Sequence, residues 1–448
     1  MNKALVKKIT VFIFILFSAG QVFAQTSDST ALRTKKLKFF LNEEKTHWLA
    51  VHMYTQLWMR MNDNNPGSTI SDVPEHYTYD VSVRRFRLGF QAQVSDRLWV
   101  YSQFGINNLN YQSPRGTSLD LLDAYAEFEV AKSLYIGAGK TAWTGLSRYS
   151  APNTSKLLTN DLLLLALPTD GEADDLIRKL SVYAKGKLGK LDYRIVASKP
   201  FLPSNSSDTE EELEEDIAKF NDKMKGGIYS TYLKWEFWDA EANRIPFSNG
   251  TYLGEKKILS IGIGGEYQND ALSTTKNDTE VFHDMVLWSV DAFLDLPIDT
   301  FKKTAITAYL GYFNYDFGPN YIRNTATNNT TLTLDNSQAS FNGAGNAFPS
   351  VGSGNSIYMQ MGYLFPSMGR TRYYGKLQPY AAVQYSDFDR LDEPMTYYDL
   401  GINWFLKDHL SKFSLSLQNR PIYNSTDQGL EVDSRKWSAV LQYIIRIE

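Results

Sequence analysis

The stretch Val83-Arg84-Arg85-Phe86-Arg87-Leu88-Gly89-Phe90-Gln91-Ala92-Gln93-Val94 decides the fold of this chain. From its third residue onward, the side chains alternate strictly in character. One face carries Phe86, Leu88, Phe90, Ala92 and Val94, and the other carries Arg85, Arg87, Gly89, Gln91 and Gln93. A helix would scatter these residues around its axis, so the two-residue period predicts a β-strand with one apolar and one polar face.

The same period recurs along the whole chain and predicts about sixteen strands of roughly ten residues each. The predicted strands are 47–61, 79–94, 98–109, 119–130, 134–144, 179–189, 190–199, 227–238, 257–268, 284–295, 304–316, 356–365, 376–387, 396–406, 411–420 and 435–447. Segments of alternating polarity separated by turn residues are typical of transmembrane β-barrels. We therefore expect an all-β fold, a transmembrane antiparallel β-barrel.

The links between the predicted strands fall into two classes, which fixes the orientation of the barrel. Links after even-numbered strands are short, and links after odd-numbered strands are long and rich in Asn, Gly, Pro and Ser. Bacterial barrels place short turns in the periplasm and long loops outside the cell. The link 239–256 is an exception, because it is long where a short turn is expected, and it leaves a miscounted strand open.

The chain begins with a predicted export signal. Residues 1–24 contain three lysines, an apolar run from Ile9 to Phe17, and Ala24 before the expected cleavage site. Residues 25–46 are expected to form a periplasmic lead-in, and residues 47–448 the barrel domain. The sequence contains no apolar run of 18 or more residues, so no membrane-spanning helix is predicted.

Composition excludes several kinds of chemistry. The chain has 0 cysteines, which rules out thiol catalysis, cysteine-zinc sites and disulfides. Its 5 histidines show no metal-ligand spacing, and no hydrolase elbow or phosphate loop is present. The net charge of −4 offers no basic face for nucleic acid. We expect no enzymatic activity, no cofactor, no metal and no nucleic-acid partner.

Charged residues in the strands indicate which face lines the lumen. An arginine on the lipid face costs about 2–4 kcal/mol at the membrane midplane and little near the interfaces. Arg85 and Arg87 are therefore expected to face the lumen, whereas Arg84 is expected on the opposite face near an interface. By the same criterion the predicted lumen-facing residues are Arg60, Arg85, Arg87, Asp123, Glu127, Glu129 and Lys140. These charges are at least as compatible with ion pairs that stiffen the wall as with solute contact.

The link 145–178 is the expected constriction of the lumen. Five leucines and one alanine occupy Leu162–Leu167, and such a run is not stable in water. We expect it to fold inward and pack on the barrel wall, bringing Arg148, Lys156 and Asp161 into the bore. An ordinary strand over 157–167, which would change the strand count, is the alternative.

Several stretches resemble the phosphate-selective porin O and P family of Gram-negative outer membranes. They are residues 83–90, 123–128, 136–140, 183–193, 251–262 and 400–406. The resemblance spans most of the mature chain in matching order and implies a 16-stranded porin, a trimer, with an inward-folded third external loop. The arginine and lysine ladders of anion-specific members cannot be placed on this chain. Its last residues also lack the terminal aromatic that the resemblance leads one to expect.

The expected function is passive diffusion of ions and small hydrophilic solutes through an outer-membrane porin, with the choice between anions and cations left open. The expected partners are outer-membrane lipid and lipopolysaccharide, the solutes, and two further copies of the chain. A non-conducting barrel that serves adhesion or assembly through long external links such as 317–355 is the main alternative. A soluble secreted β-protein is a third, but it does not explain the alternation of short and long links.

Overall fold

The structure, a computed structural model, describes residues 37–203, 216–221, 226–277, 279–331, 333–334, 340–369, 375–427 and 429–447. The predicted signal peptide 1–24 lies outside these residues. In the described part of the chain, regular structure is almost entirely β, with two short 3-10 helices at Arg148–Ser150 and Leu164–Ala166. No helix in that part is long and apolar enough to cross a membrane.

Sixteen strands form the barrel and are numbered here in chain order. They are β1 (Trp48–Asp63), β2 (Tyr77–Gln93), β3 (Leu98–Leu109), β4 (Asp120–Ala131), β5 (Leu134–Thr141), β6 (Lys179–Leu188), β7 (Leu191–Lys199), β8 (Ile228–Glu236), β9 (Ile258–Lys276), β10 (Thr279–Asp299), β11 (Thr304–Asp316), β12 (Gly354–Leu364), β13 (Lys376–Phe388), β14 (Met395–Lys407), β15 (Ser411–Thr426) and β16 (Gly429–Ile447). The remaining short strands are Leu37–Phe40, Ser68–Ile70, Val73–Pro74, Lys219–Phe220, Ile322–Thr325, Thr333–Leu334 and Phe348–Gly352.

Each barrel strand pairs antiparallel with the next one in sequence, and the last strand closes the ring on the first. The β1–β16 ladder runs from Met53–Ile447 to Asn62–Ser438. Where β16 ends, the strand Leu37–Phe40 pairs with the start of β1. Closure leaves no free edge among the sixteen strands, which a sheet in hydrocarbon requires because no water can satisfy unpaired backbone groups.

Strand β8 shows how the two faces are divided. Its residues alternate between buried and exposed at every position from Ile228 to Glu236. The exposed set includes Tyr229, Leu233 and Trp235, whereas Lys234 and Glu236 are buried. Charges inside and apolar side chains outside invert the pattern of a soluble protein, as a lipid-facing wall around a polar interior demands.

The structure confirms the all-β barrel and all sixteen predicted strands. Two hairpins are longer than expected, because β9–β10 and β15–β16 continue through the links 269–283 and 421–434. Their outer parts are rich in Asn, Asp, Ser and Thr, which suggested loops. Paired strands that extend beyond the membrane need no apolar face. The two-residue alternation of apolar and polar side chains is therefore lost there, although the strands continue.

The two open questions about strand number are also resolved. Residues 157–167 form no strand, since the leucine run contains a 3-10 turn. The link 239–256 adds no strand to the barrel either, so no strand was miscounted there. Both segments lie inside the barrel, as described below.

We expect Ile263→Arg to destabilise the barrel by about 2–4 kcal/mol, because the side chain would lie in hydrocarbon near the middle of the wall. Ile263 is exposed on the outer face of β9, between Leu233 of β8 and Val290 of β10. Urea unfolding from lipid vesicles gives the free energy. Phe301→Arg, in the exposed turn between β10 and β11, is the control and should cost no more than about 1 kcal/mol. Equal costs at the two positions would contradict the assigned outer face.

Candidate functional site

The lumen is crossed by the segment between β5 and β6, here called the inner loop (residues 142–178). In a ring of sixteen strands, β13 lies opposite β5. On that far side, Tyr380 Oη of β13 accepts a hydrogen bond from the Asn160 backbone N–H at 3.0 Å. Asn403 of β14 donates to the Leu158 carbonyl at 2.7 Å, and Lys412 of β15 donates to the Leu157 carbonyl at 3.1 Å. The inner loop therefore spans the bore.

The leucine run of the inner loop packs on the inside of the wall. Leu163, Leu165 and Ala166 are buried in a cluster with aromatic residues of β11. Tyr315 of that strand donates its hydroxyl hydrogen to the Leu165 carbonyl at 2.7 Å. Removing these apolar side chains from water stabilises the inward course of the loop.

Asp161 of the inner loop holds two adjacent arginines of β2. Its carboxylate lies 3.0 Å from an Arg84 guanidinium nitrogen and 2.8 Å from an Arg85 guanidinium nitrogen. Burial alone would raise the pKa of Asp161, but the charges of Arg84 and Arg85 outweigh burial and hold that pKa below its ordinary value. The loop and the wall are thus joined by a buried ion-pair triad.

The position of Arg84 corrects the expectation that it faces lipid near an interface. Leu57 of β1 pairs with Val83 and Gln56 pairs with Arg85, so Arg84 is the extra residue of a β-bulge. A bulge interrupts the alternation of faces. Arg84 and Arg85 consequently both point inward, and both are buried.

A cavity of about 220 Å³ lies between β1–β3, β16, the inner loop, the link between β8 and β9 and the link between β11 and β12. We call it the arginine cavity, because six arginines line it: Arg84, Arg85, Arg87, Arg178, Arg323 and Arg446. Among the described residues that line it, Asp170 is the one carboxylate. Arg85 and Arg87 were predicted to face the lumen; the other four were not identified from the sequence.

The partners of the cavity arginines leave a surplus of positive charge. Arg178 binds Asp123 at 3.0 Å, and Arg84 and Arg85 share one carboxylate. Arg87 donates to the backbone carbonyls of Phe86 and Ile106, both at 2.8 Å, which are neutral groups. Arginine stays charged in proteins, so the cavity is positive at any physiological pH.

The other predicted lumen charges are arranged mostly as ion pairs in the wall. Asp123 is buried against Arg178, and Glu127 is buried 3.0 Å from Lys185 Nζ and accepts the Tyr183 hydroxyl at 3.0 Å. Glu129 lies on the same face as Glu127, near the periplasmic end, and is half-buried. These carboxylates are separated from the arginine cavity by their own partners.

Arg60 ties an external link to the wall. It binds Asp80 of β2 at 2.9 Å and donates to the carbonyls of Thr327 and Asn328. Those two residues belong to the link between β11 and β12 (residues 317–353), which also contributes Arg323 to the arginine cavity. The described part of this link therefore enters the mouth of the barrel.

Lys140 does not face the lumen, which corrects the sequence prediction. It shares a face of β5 with the exposed Ile136 and is paired with the exposed Leu180 of β6. Its Nζ pairs with Asp175 and donates to the Leu121 carbonyl at 2.8 Å. Its position next to the inner loop places it near the external interface, where an outward lysine costs little.

Arg148 of the inner loop joins it to the link between β8 and β9, whose residues 239–256 we call the periplasmic segment. Arg148 forms a bidentate pair with Glu241 and donates to the Asn249 carbonyl at 2.7 Å. Burial would raise the pKa of Glu241, but Arg148 and Lys234 hold it well below its ordinary value. Lys156 is half-buried, and its carbonyl accepts the Gly250 N–H at 3.0 Å.

Metal-ligand geometry is absent from the described residues, which contain no group of three or more histidine, aspartate or glutamate side chains placed to hold a metal ion. His52 lines the arginine cavity and stacks on Tyr101 with ring centroids 6.1 Å apart.

A closed, even-stranded antiparallel barrel with an apolar outer wall and a polar interior is a transmembrane β-barrel. Single-chain barrels of this class are proteins of the outer membrane of Gram-negative-type bacteria. This chain belongs to that class by its own architecture, with the long links on the outside and the short ones in the periplasm.

No protein-family model matches the chain, and no curated protein matches it. Among solved structures, it is similar to an anion-selective porin from Comamonas acidovorans, with 9% identity, 89% of this chain and 99% of that chain covered, and a TM-score of 0.49. Salmonella typhi OmpF in complex with daunomycin has 10% identity, coverages of 90% and 99%, and a TM-score of 0.48. The outer membrane channel DcaP of Acinetobacter baumannii has 15% identity, coverages of 89% and 97%, and a TM-score of 0.46. These values are too low to transfer a function.

We expect Asp161→Asn to destabilise the folded barrel by about 3–5 kcal/mol, because it leaves two buried arginines without a counter-charge. Unfolding in urea measures the loss. Asp175→Asn is the matched control in the same loop. Asp175 pairs with Lys140 and is 47% exposed, so its replacement should cost about 0–1 kcal/mol. A loss at Asp161 no larger than at Asp175 would show that the buried triad does not hold the loop.

Proposed function

We propose that this barrel is a passive diffusion channel of the outer membrane, and that it favours small anions. The observation that carries the proposal is the arginine cavity, where six arginines face one lining carboxylate. The choice of anions over cations rests on this charge surplus, whereas the diffusion function rests on the closed barrel with a polar interior. No covalent step and no cofactor are part of the proposal.

The placement of the arginines suits conduction along the bore. Arg323 comes from an external link, Arg84, Arg85 and Arg87 follow one another down β2, and Arg446 lies near the periplasmic end of β16. A row of like charges inside low-dielectric walls raises the local concentration of the opposite ion. Several weak sites in a row let an anion enter and leave again, which conduction requires.

The inner loop serves, in this proposal, as the constriction. It spans the bore from β5 to β13–β15, and it fixes Arg84 and Arg85 through Asp161. The loop therefore narrows the lumen and also sets the position of two charges in the arginine cavity. Arg148 acts elsewhere, in the contact with the periplasmic segment.

Phosphate preference, a homotrimer, and contacts with lipid and lipopolysaccharide remain proposals drawn from the resemblance to the phosphate-selective porins O and P. Phosphate is one anion that a row of arginines could bind, because guanidinium groups make bidentate contacts with its oxygens. The geometry on β2 favours small anions in general and does not single out one.

A second candidate function is a sealed barrel that acts in adhesion or assembly. It is favoured by the filling of the lumen, since the inner loop, the periplasmic segment and the 317–353 link all enter it. Conductance of the purified protein in a planar bilayer separates the two candidates. Stable open steps support the channel, and a silent membrane supports the sealed barrel.

We expect Arg87→Gln to shift the reversal potential across a salt gradient toward zero, because it removes a charge whose bonds go to neutral groups. A change of only about 0.4 kcal/mol in the free energy of an anion in the cavity alters the permeability ratio about two-fold. Arg115→Gln, in the exposed link between β3 and β4, is the control and should leave the potential unchanged. An unchanged reversal potential in Arg87→Gln would show that ions do not permeate through the arginine cavity.

Anion selectivity should also depend on pH through Asp170. Burial and the neighbouring carboxylate of Asp174 raise the pKa of Asp170 to about 6, against the opposing charges of Arg323 and Arg178. A raised carboxyl pKa means that Asp170 takes up a proton as the pH falls through about 6. The cavity then loses its lining negative charge and becomes more positive, so anion selectivity should rise.

Reversal potentials at about pH 7 and about pH 5 measure this change, because a carboxyl whose pKa is raised to about 6 titrates between these values, as histidine side chains also do. Asp170→Asn should be more anion-selective at neutral pH and should lose most of the pH response. His52→Asn is compared in parallel because His52 also lines the cavity. If Asp170→Asn keeps the full response and His52→Asn abolishes it, the titrating group is the histidine.

A further inference from the structure

We infer that the periplasmic segment (residues 239–256) is a displaceable plug that closes the periplasmic half of the arginine cavity and is latched by Glu241. The inference rests on the proposed channel function, because a plug has meaning only in a conducting barrel. It concerns a different segment from the inner loop, because the periplasmic segment enters from the opposite side of the membrane and meets the inner loop inside the lumen.

The segment is longer than the connection between β8 and β9 requires. The barrel strands on either side of the other periplasmic turns are joined by as little as residues 132–133 and 189–190. Between β8 and β9 the two ends of the link are already bridged, since Phe237 N–H donates to the Leu259 carbonyl at 2.9 Å and Asp239 N–H to the Lys257 carbonyl at 3.0 Å. A tight turn could close this hairpin, so residues 240–256 are additional to what the barrel needs.

The same two hydrogen bonds make the segment a loop whose ends lie side by side. Compact loops whose ends lie close together are frequently functional. None of its described residues belongs to a strand, and its one backbone bridge, Ser248 with Pro152, goes to the inner loop. The segment can therefore leave the lumen without breaking a barrel strand.

The latch is one buried carboxylate with three partners. Glu241 is bound by Arg148 of the inner loop, by Lys234 of β8 at 3.0 Å, and by the Tyr252 hydroxyl at 2.6 Å. A buried ion pair balances a large desolvation cost against a large attraction, so its net contribution to stability is small. Exchange of these contacts for water is therefore an accessible step.

The end of the segment stays anchored. Leu253 is buried with Ala305, Leu364 and Phe405. Asp295 accepts the Tyr252 N–H at 2.9 Å. The part that moves is therefore residues 240–250.

The tip of the segment lies where it can block permeation. Ile245 and Phe247 both line the arginine cavity. The Phe247 ring lies 6.4 Å from the Tyr101 ring and 5.5 Å from the Arg178 guanidinium carbon. Apolar side chains at a narrow point of an aqueous path hinder the passage of hydrated ions. Withdrawal of the segment would remove both side chains from the cavity.

The absence of cysteine from the sequence provides a direct test. Pro152 and Ser248 are bridge partners, so their Cα atoms lie about 5 Å apart, within the range of a disulfide. In the double variant Pro152→Cys, Ser248→Cys, oxidation should fix the segment in the lumen, and a reducing agent should release it. Each single cysteine variant serves as the control for redox effects.

Single-channel recording of the full barrel in planar bilayers gives the readout. Glu241→Gln should raise the conductance or open probability several-fold over the unaltered protein, and Glu255→Gln, at an exposed site of the same segment, should not. Adding the two cysteines to Glu241→Gln should return the oxidised channel to the low level and the reduced channel to the high one. If Glu241→Gln does not fold, Tyr252→Phe weakens the same latch.

The outcomes separate this inference from the proposed function. Equal anion-selective currents from the oxidised and reduced forms of the Glu241→Gln variant that carries both cysteines would show that the segment does not block the current, overturning the plug and leaving the channel intact. A cysteine pair that does not cross-link contradicts the docked position itself. No current from any form, Glu241→Gln and Tyr252→Phe included, would overturn both.

Discussion

The closure of β16 onto β1 is the constraint on which the rest of the structure depends. In hydrocarbon every backbone N–H and C=O must find a partner within the protein, so the sixteen strands form a ring with no open edge. The ring then divides every strand into a lipid face and a lumen face. Charged residues are tolerated in numbers only on the second, which is why β2 can carry three arginines and β8 a buried lysine.

A ring of this size leaves an interior that the wall side chains alone do not fill, and the chain fills it with three of its links. Each of them brings charged or polar groups that match the wall: Asp161 for Arg84 and Arg85, Glu241 for Lys234, and the backbone carbonyls of Thr327 and Asn328 for Arg60. The carboxylates of Asp161 and Glu241 are already paired with basic side chains in these contacts. The space that stays open is the arginine cavity, which is bordered by guanidinium groups. Its positive charge is therefore a consequence of how the three links fill the lumen.

The sequence was sufficient for everything that a local period determines. All sixteen strands and the inward direction of Arg85 and Arg87 follow from alternation and from the cost of charge in lipid. The inward course of the leucine run follows from the cost of exposing apolar side chains to water. The errors have local causes as well. Arg84 faces inward because a bulge adds one residue to β2. Lys140 faces outward, as the alternation of β5 predicts. Its charge was a poor guide, because an outward charge costs little at the end of a strand.

Contacts between distant parts of the chain could not be predicted in this way. Arg178, Arg323 and Arg446 come together from a loop, an external link and the last strand, and no period in the sequence relates them.

The most direct test of the account uses the cysteine-free protein and two neighbouring residues of β3. Gln103 lines the arginine cavity, and Phe104 faces outward. We predict that an anionic thiol reagent modifies Gln103→Cys faster than a cationic reagent of the same size, and that Phe104→Cys in a lipid bilayer reacts with neither. An unreactive Gln103→Cys, or one that reacts faster with the cation, would contradict an aqueous, anion-favouring interior.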